Sequence, residues 1–384
     1  MPKRSTVLMA AACVVAALAV AGCSTTSTST TSALTVNGGT LSIIVSEPAD
    51  LKADPVAQDV IDAEKLAFLA HRGEVKDFKL AVFSVDDKTP SANARDAIQT
   101  DSAVAYLGEI APGESDQTAG ITNALGLLQI SPTDTAAELT QDTTASESLY
   151  QSWSTFGRTF ARLAPNSIQE ASAQVAEMKS LGVSSLYVAS DGSEYGNTLA
   201  EAVRSDAKAA DISLTTSISG AGGIFYGVQS PAAGAAFFKH AASLAPNAKL
   251  FGPSSLDSAQ FTTAVGSSVH NLYVTIPGVM PKQLNSAGKK FEQEFVATYK
   301  HKPNVEAIFG YEAMSSLLAV IHGAGESANN RTTLVHDFHK QSQSDSVLGA
   351  YKIDSTGNSS LDAFVIARLS GGALVPFKAA TTQA

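Results

Sequence analysis

Val104–Thr140 reads VAYLGEIAPGESDQTAGITNALGLLQISPTDTAAELT. An apolar run of strand length, "VAYL", breaks into a polar, turn-prone segment, "GEIAPGES". A helix-length stretch rich in Ala and Gly follows. A second apolar run, "GLLQI", then ends in another polar turn, "SPTDT". Two short apolar strands joined through a helix form a βαβ unit, whose strands run parallel. Parallel strands are buried on both faces, which explains runs that are continuously apolar rather than alternating.

The same alternation extends in both directions. Upstream, "LSIIVSEP" (41–48) is a strand, and the helix after it sets Val56, Val60, Ala63, Ala67 and Ala70 on one face. "KLAVFSVDD" (79–87) is a strand and "NARDAIQTD" (93–101) a helix. Downstream, "SSLYVASD" (184–191) is a strand, followed by a helix with Leu199, Val203, Ala207 and Ala210 together. "GIFYGVQ", "AKLFGPS" and "NLYVTIPG" are further strands, and a late helix presents Met314, Leu317, Leu318 and Ile321. This pattern predicts an α/β fold of parallel sheets with helices on both faces. In such sheets ligands sit beyond the carboxyl ends of the strands. The polar strand ends "SEP", "SPTDT", "SDGSEYG" and "GPSS" predict a cleft lined by hydroxyls and amides.

The first residues read as an export signal. Lys3 and Arg4 precede an apolar run, Val7–Val20, that is shorter than the roughly 20 residues a membrane span needs. Val20-Ala21-Gly22-Cys23 resembles the lipobox of bacterial lipoproteins, in which the cysteine is lipidated and becomes the first mature residue. Ser24–Ser32 contains only Ser and Thr, a composition suited to a slack tether. The expected segments are a signal at 1–22 and a tether at 23–38. No later apolar run is expected to be long enough to span a bilayer.

The only other cysteine, Cys13, lies inside the signal, so the body holds no disulfide and no reactive thiol. With 384 residues and 44% hydrophobic composition, it is large enough for two domains held by their cores. The formal charge of −10 becomes −12 without the signal, which carries Lys3 and Arg4 and no acid. An acidic body without a basic cluster argues against nucleic acid and against electrostatic attachment to anionic lipid.

Enzyme signatures are missing. There is no G-x-S-x-G, P-loop, G-x-G-x-x-G or H-E-x-x-H. His336, Asp337 and His339 in "HDFH" read as a solvated helix face rather than a metal site, and Asp86-Asp87 as loop acids. The expectation is no catalytic residue, no metal and no cofactor.

Taken in order, several segments resemble the leucine/isoleucine/valine-binding branch of type I periplasmic binding proteins. Val104–Thr140 resembles the first lobe and Leu186–Ile212 the opening of the second. "IFGYEAMSSLLAVIHGAG" (308–325) is similar to the family's late Tyr-bearing helix, and Tyr351–Phe377 to its terminal hairpin region. The likeness covers most of residues 40–378. It implies two Rossmann-like lobes joined by a three-stranded hinge: 39–158 with 282–345, and 159–281 with 346–378. It also implies a small polar solute trapped by hinge closure and passed to a membrane ABC permease. The resemblance further implies a monomer, lipid-anchored to the outer face of the cytoplasmic membrane.

The family's site carries over unevenly. Thr135 falls on the carboxylate-binding threonine and Thr133 on its backbone-donating neighbour, although both hydroxyls suit a helix cap as well. Ser115 stands one or two places from the family's serine, beside Glu114. Tyr195 falls on the tyrosine that packs over the ligand. Gln229 stands where the family has a second tyrosine, and Ser254 where it has the carboxylate that meets the ligand's ammonium. Asp134, Glu109 and Asp257 are the candidates to replace that acid. An α-amino acid is therefore the default ligand, and neutral, hydroxyl-rich or anionic solutes fit the surviving residues too. Ligand-sensing lipoproteins and degenerate binders of the same fold are alternatives, with an α/β hydrolase behind them. One departure is structural: only "GAGG" separates "LTTSIS" (214–219) from the next strand. The expectation is that "LTTSIS" leaves the parallel ladder or pairs antiparallel through a glycine turn.

Overall fold

The computed structural model describes residues 34–71, 74–86, 89–141 and 153–380. The signal, Cys23, the tether up to residue 33 and Asp87 lie outside the described residues. Two sheets organise the rest. The first contains β1 (Thr40–Ser46), β2 (Glu74–Val75), β3 (Phe78–Val85), β4 (Ala103–Leu107), β5 (Leu128–Ser131) and β6 (Phe160–Arg162), in the order β2-β3-β1-β4-β5-β6. All neighbours are parallel except β2, which pairs antiparallel with β3.

Strand β1 shows why this sheet is central. Leu41, Ile43 and Val45 face one way into a core shared with helix α1 (Pro55–His71), while Ile44 faces the other way, against Ala94 and Ala97 of α2 (Pro90–Gln99). Side chains alternate along a strand, so a strand buried on both faces must be apolar at consecutive positions. Val60, Ala63 and Ala67 of α1 are buried as their spacing predicts; Val56 is half-buried and Ala70 exposed. The segment after β4 contains a 3-10 turn (Glu114–Gln117) and a one-turn helix, α3 (Ala119–Asn123), and a further single turn, α4 (Trp153–Phe156), precedes β6.

The second sheet receives β7 (Ser185–Ser190), β8 (Ser213–Thr215), β9 (Gly223–Gly227), β10 (Lys249–Gly252) and β11 (Leu272–Pro277), all parallel to their neighbours. Helix α5 (Ser167–Ser180) leads into β7, and α6 (Glu194–Ala209), α7 (Pro231–Leu244) and α8 (Ala259–Val265) run between the strands. The chain then returns to the first lobe for α9 (Ser286–Tyr299), α10 (Ala307–Ala324), α11 (Arg331–Phe338) and the hairpin β12 (Ser342–Ser346)–β13 (Gly349–Lys352). It crosses a third time to add β14 (Phe364–Ser370) and β15 (Ala373–Ala379) as an antiparallel edge, giving the order β15-β14-β11-β10-β9-β7-β8.

Three expectations differ from this arrangement. The segment "LTTSIS" neither leaves the parallel ladder nor pairs antiparallel. Its first residues belong to β8, which pairs in parallel with β7 at the sheet edge, so β7 lies between β8 and β9. The link 216–222 passes across the end of β7. Seven residues reach ~23 Å extended, against the ~10 Å needed to cross two strand spacings, so no helix is required. The expected lobe limits also shift. A limit at 158 excludes β6, which pairs with β5, and a limit at 345 cuts the β12–β13 hairpin, whose Tyr351 packs in the first core. Finally, Ala307–Ser327 is long and apolar enough to cross a bilayer by length and composition, but 72% of its 18-residue apolar window is buried inside the protein. Met314, Leu317, Leu318 and Ile321 pack there in the core that α1 and β1 share.

Candidate functional site

A cavity of about 980 Å³ opens between the lobes. Its first-lobe wall comes from the loop after β1, the start of α1, the loop after β4, and Glu306 just ahead of α10. Its second-lobe wall comes from the ends of β7, β9 and β10 and the start of α8. The carboxyl ends of parallel strands thus meet here from both sheets, where open α/β sheets bind ligands.

At the inner edge, the lobes touch through one polar cluster. Thr135, beyond β5, brings its Oγ1 to 3.2 Å from Ser254 Oγ and 3.4 Å from Tyr195 Oη. All three hydroxyls converge on Glu170, in the first turn of α5. Its Oε2 accepts from Ser254 Oγ at 3.1 Å, Tyr195 Oη at 3.3 Å and Thr135 Oγ1 at 3.3 Å, and its Oε1 from Ser254 N at 2.7 Å. The local sequence fixes each member. Ser193 caps α6 on Gly196 N, which turns Tyr195 inward, and Asn166 forms a capping box with Gln169 that starts α5 just ahead of Glu170. Burial lifts the Glu170 carboxyl to about 7 even though four donors pull it down, and burial with the adjacent Glu170 lifts the Tyr195 phenol.

The predicted residues therefore divide. Thr135, Tyr195 and Ser254 come together, and Ser254 and Gln229 also line the cavity. Gln229 packs so closely on the first lobe that a Cβ at Gly113 (φ +81°) would stand 2.6 Å from its Nε2. Thr133 and Ser115 turn away from the cavity. Thr133 Oγ1 donates to Ile110 O at 2.7 Å, and Ser115 Oγ accepts from Glu109 N at 3.1 Å; both residues are buried. Their hydroxyls hold the loop after β4 in shape.

The candidate acids divide as well. Asp134 spends its carboxylate on the amides of Gly113, Ser115 and Ala136. Glu109 accepts from Tyr106 Oη and Ser46 Oγ, at 2.5 and 2.7 Å. Asp257 faces the cavity, as does Glu114, which burial and then the nearby Glu109 and Asp134 lift to about 7. Glu170 was not among the candidates at all. Its carboxylate meets Ser254, reaching there from a helix instead of a strand end.

The profile of the periplasmic binding protein family matches residues 52–373, most of the chain. The chain belongs to the type I periplasmic binding proteins. Solved structures agree on the fold of this binding protein. A leucine-binding protein from Thermotoga maritima, LivK, is 18% identical with a TM-score of 0.73, over 90% of this chain and 99% of its own. An ABC transporter substrate-binding protein from Desulfitobacterium hafniense, in complex with leucine, is 21% identical with a TM-score of 0.70, over 88% and 100%. A solute-binding protein from R. palustris, in complex with benzoate, is 17% identical with a TM-score of 0.66, over 90% and 98%. No curated protein matches the sequence. At these identities the likeness of this binding protein to its neighbours is one of fold.

Proposed function

We propose that this periplasmic binding protein is the lipid-anchored solute receptor of an ABC importer, closing its two lobes on a small polar solute. The observation that carries the reading is the Thr135–Glu170–Tyr195–Ser254 cluster. It joins a hydroxyl of the first lobe to three polar groups of the second, at the edge of an interlobe cavity. A solute that replaces part of this cluster touches both lobes, so it stabilises the closed form by its differential affinity. Lipidation at Cys23 and the Ser/Thr tether would keep such a receptor beside a membrane permease.

A thermal-shift screen of amino acids, amides, polyols, small carboxylates and amines tests the receptor reading. A ligand that binds only the folded chain raises the melting temperature by mass action. A solute that raises it, and raises it less in Thr135→Ala, supports the reading; no response to any class sinks it. Cys23→Ala should move the chain from the membrane fraction to the soluble fraction, and retention in the membrane would remove the lipid anchor.

A further inference from the structure

Six carboxylates face the interlobe cavity: Asp50, Asp54, Glu114 and Glu306 from the first lobe, Asp191 and Asp257 from the second. Among the described residues, no Lys, Arg or His lines it. Acids alone decide little, because local structure commonly satisfies them. Asp54 accepts from the amides of Val56 and Ala57 at the start of α1, and Asp191 from Ser193 and Gln229.

Glu306 is different. It is only 6% exposed, and among the described residues its carboxylate has no hydrogen-bond or ion-pair partner. Its mount is rigid, since Asn304 Oδ1 accepts from the amides of Glu306 and Ala307 at 2.8 and 3.0 Å. Asp257, also without a side-chain partner among the described residues, bears on it from the other lobe. Burial first, and then Asp257 and Asp54, push the Glu306 carboxyl far above its ordinary range. Glu306 is buried and Asp257 half-buried in the wall of one cavity, and ionising both is costly until a counter-charge arrives. Among the described residues no cation lines the cavity, so a cationic ligand is what would let both ionise. Among the described residues, no three acids, histidines or cysteines converge tightly enough to hold a metal ion. The acids are spread around the wall, as an extended molecule needs.

We infer that the cleft takes a small organic cation, with an ammonium or guanidinium group held between Glu306 and Asp257 and so bridging the lobes. The inference rests on the solute-receptor reading and narrows it. The opposite class, small anions, meets only like charge here.

The test is calorimetric titration of the purified full chain with putrescine, agmatine, arginine, leucine and glutamate. At least one of the three cations should bind ten or more times tighter than leucine or glutamate. Glu306→Gln and Asp257→Asn should each weaken that cation at least tenfold, while Glu326→Gln on the open surface should not. The melting temperature of Glu306→Gln should match that of the parent, since a neutral amide replaces a buried carboxyl that has no partner; if that variant does not fold, Asp257→Asn decides alone. Cation binding unchanged in the folded variants overturns the inference. Leucine or glutamate binding without any cation overturns it and leaves the receptor reading standing. Silence from these probes and from every class in the wider screen overturns both.

Discussion

Thr135 and Glu170 do different work in the same cluster, and substitution separates them. Thr135 contributes one hydroxyl from the first lobe, so Thr135→Ala should weaken solute binding roughly fivefold, the equivalent of a hydrogen bond worth ~1 kcal/mol, with little change in melting. Equal affinity in parent and variant would take Thr135 out of the site. Glu170 accepts from four donors at once and is fully buried. Glu170→Ala strands them, at ~1–3 kcal/mol for each buried donor left unmade, and urea unfolding should show a loss of at least that size. Glu170→Gln keeps an acceptor and should recover most of it. Thr135, Tyr195 and Ser254 could be singled out because the family resemblance carries over onto them at polar strand ends. Glu170 was not, because an acid in the first turn of a helix ordinarily reads as solvated. The signal was present in α5, where Glu170, Gln174 and Glu177 interleave with Ala171, Val175 and Met178, and all six are buried. A helix that buries polar residues on its apolar face is reaching for something. Here Gln174 Nε2 donates to Gly252 O at 2.6 Å, on the same strand end that meets Glu170.

At the level of elements, the contact of α1 with α10 has the least tolerance. A Cβ on Gly310 would collide with the carbonyl oxygen of Val60, on backbone that cannot rotate away. Gly310→Ala should therefore push the two helices apart and cost ~1–3 kcal/mol, the usual penalty of overpacking a core. Denaturant unfolding checks this; an alanine as stable as the parent would mean the helices slide freely. The helix period predicted which residues of α10 face the core, but apolar length alone could not tell a buried helix from a spanning one. The fate of "LTTSIS" was hidden for another reason. Strand order depends on which neighbours are free to pair, and β7 stands between β8 and β9 without leaving any mark in the seven residues that join them.

Across the whole molecule, buried carboxyls set the response to acid. Glu109, Glu114, Glu138, Glu170 and Glu312 are each lifted by burial from the ordinary 4.5 to about 7. Between those values the folded chain keeps protons that the unfolded chain has lost, so stability falls as pH rises. The contribution is full below about 4.5 and gone above about 7. Melting should occur at a higher temperature at pH 5.5 than at pH 8, and scans across that range would refute this by showing the reverse. Two lobes could be read from the alternation of strands and helices, since each βαβ unit is local. The charge of the cleft could not, because its acids come from five separate stretches between Asp50 and Glu306 that only the folded chain assembles. The three crossings have a further consequence for biogenesis. A polypeptide that emerges N-terminus first completes the first sheet at Arg162, yet α10, which covers the Leu41, Ile43 and Val45 face, begins only at Ala307. For that interval the core that those residues share with α1 lacks α10, while an entire second lobe is being threaded out. The first-lobe core is therefore finished only when the last fifth of the chain arrives.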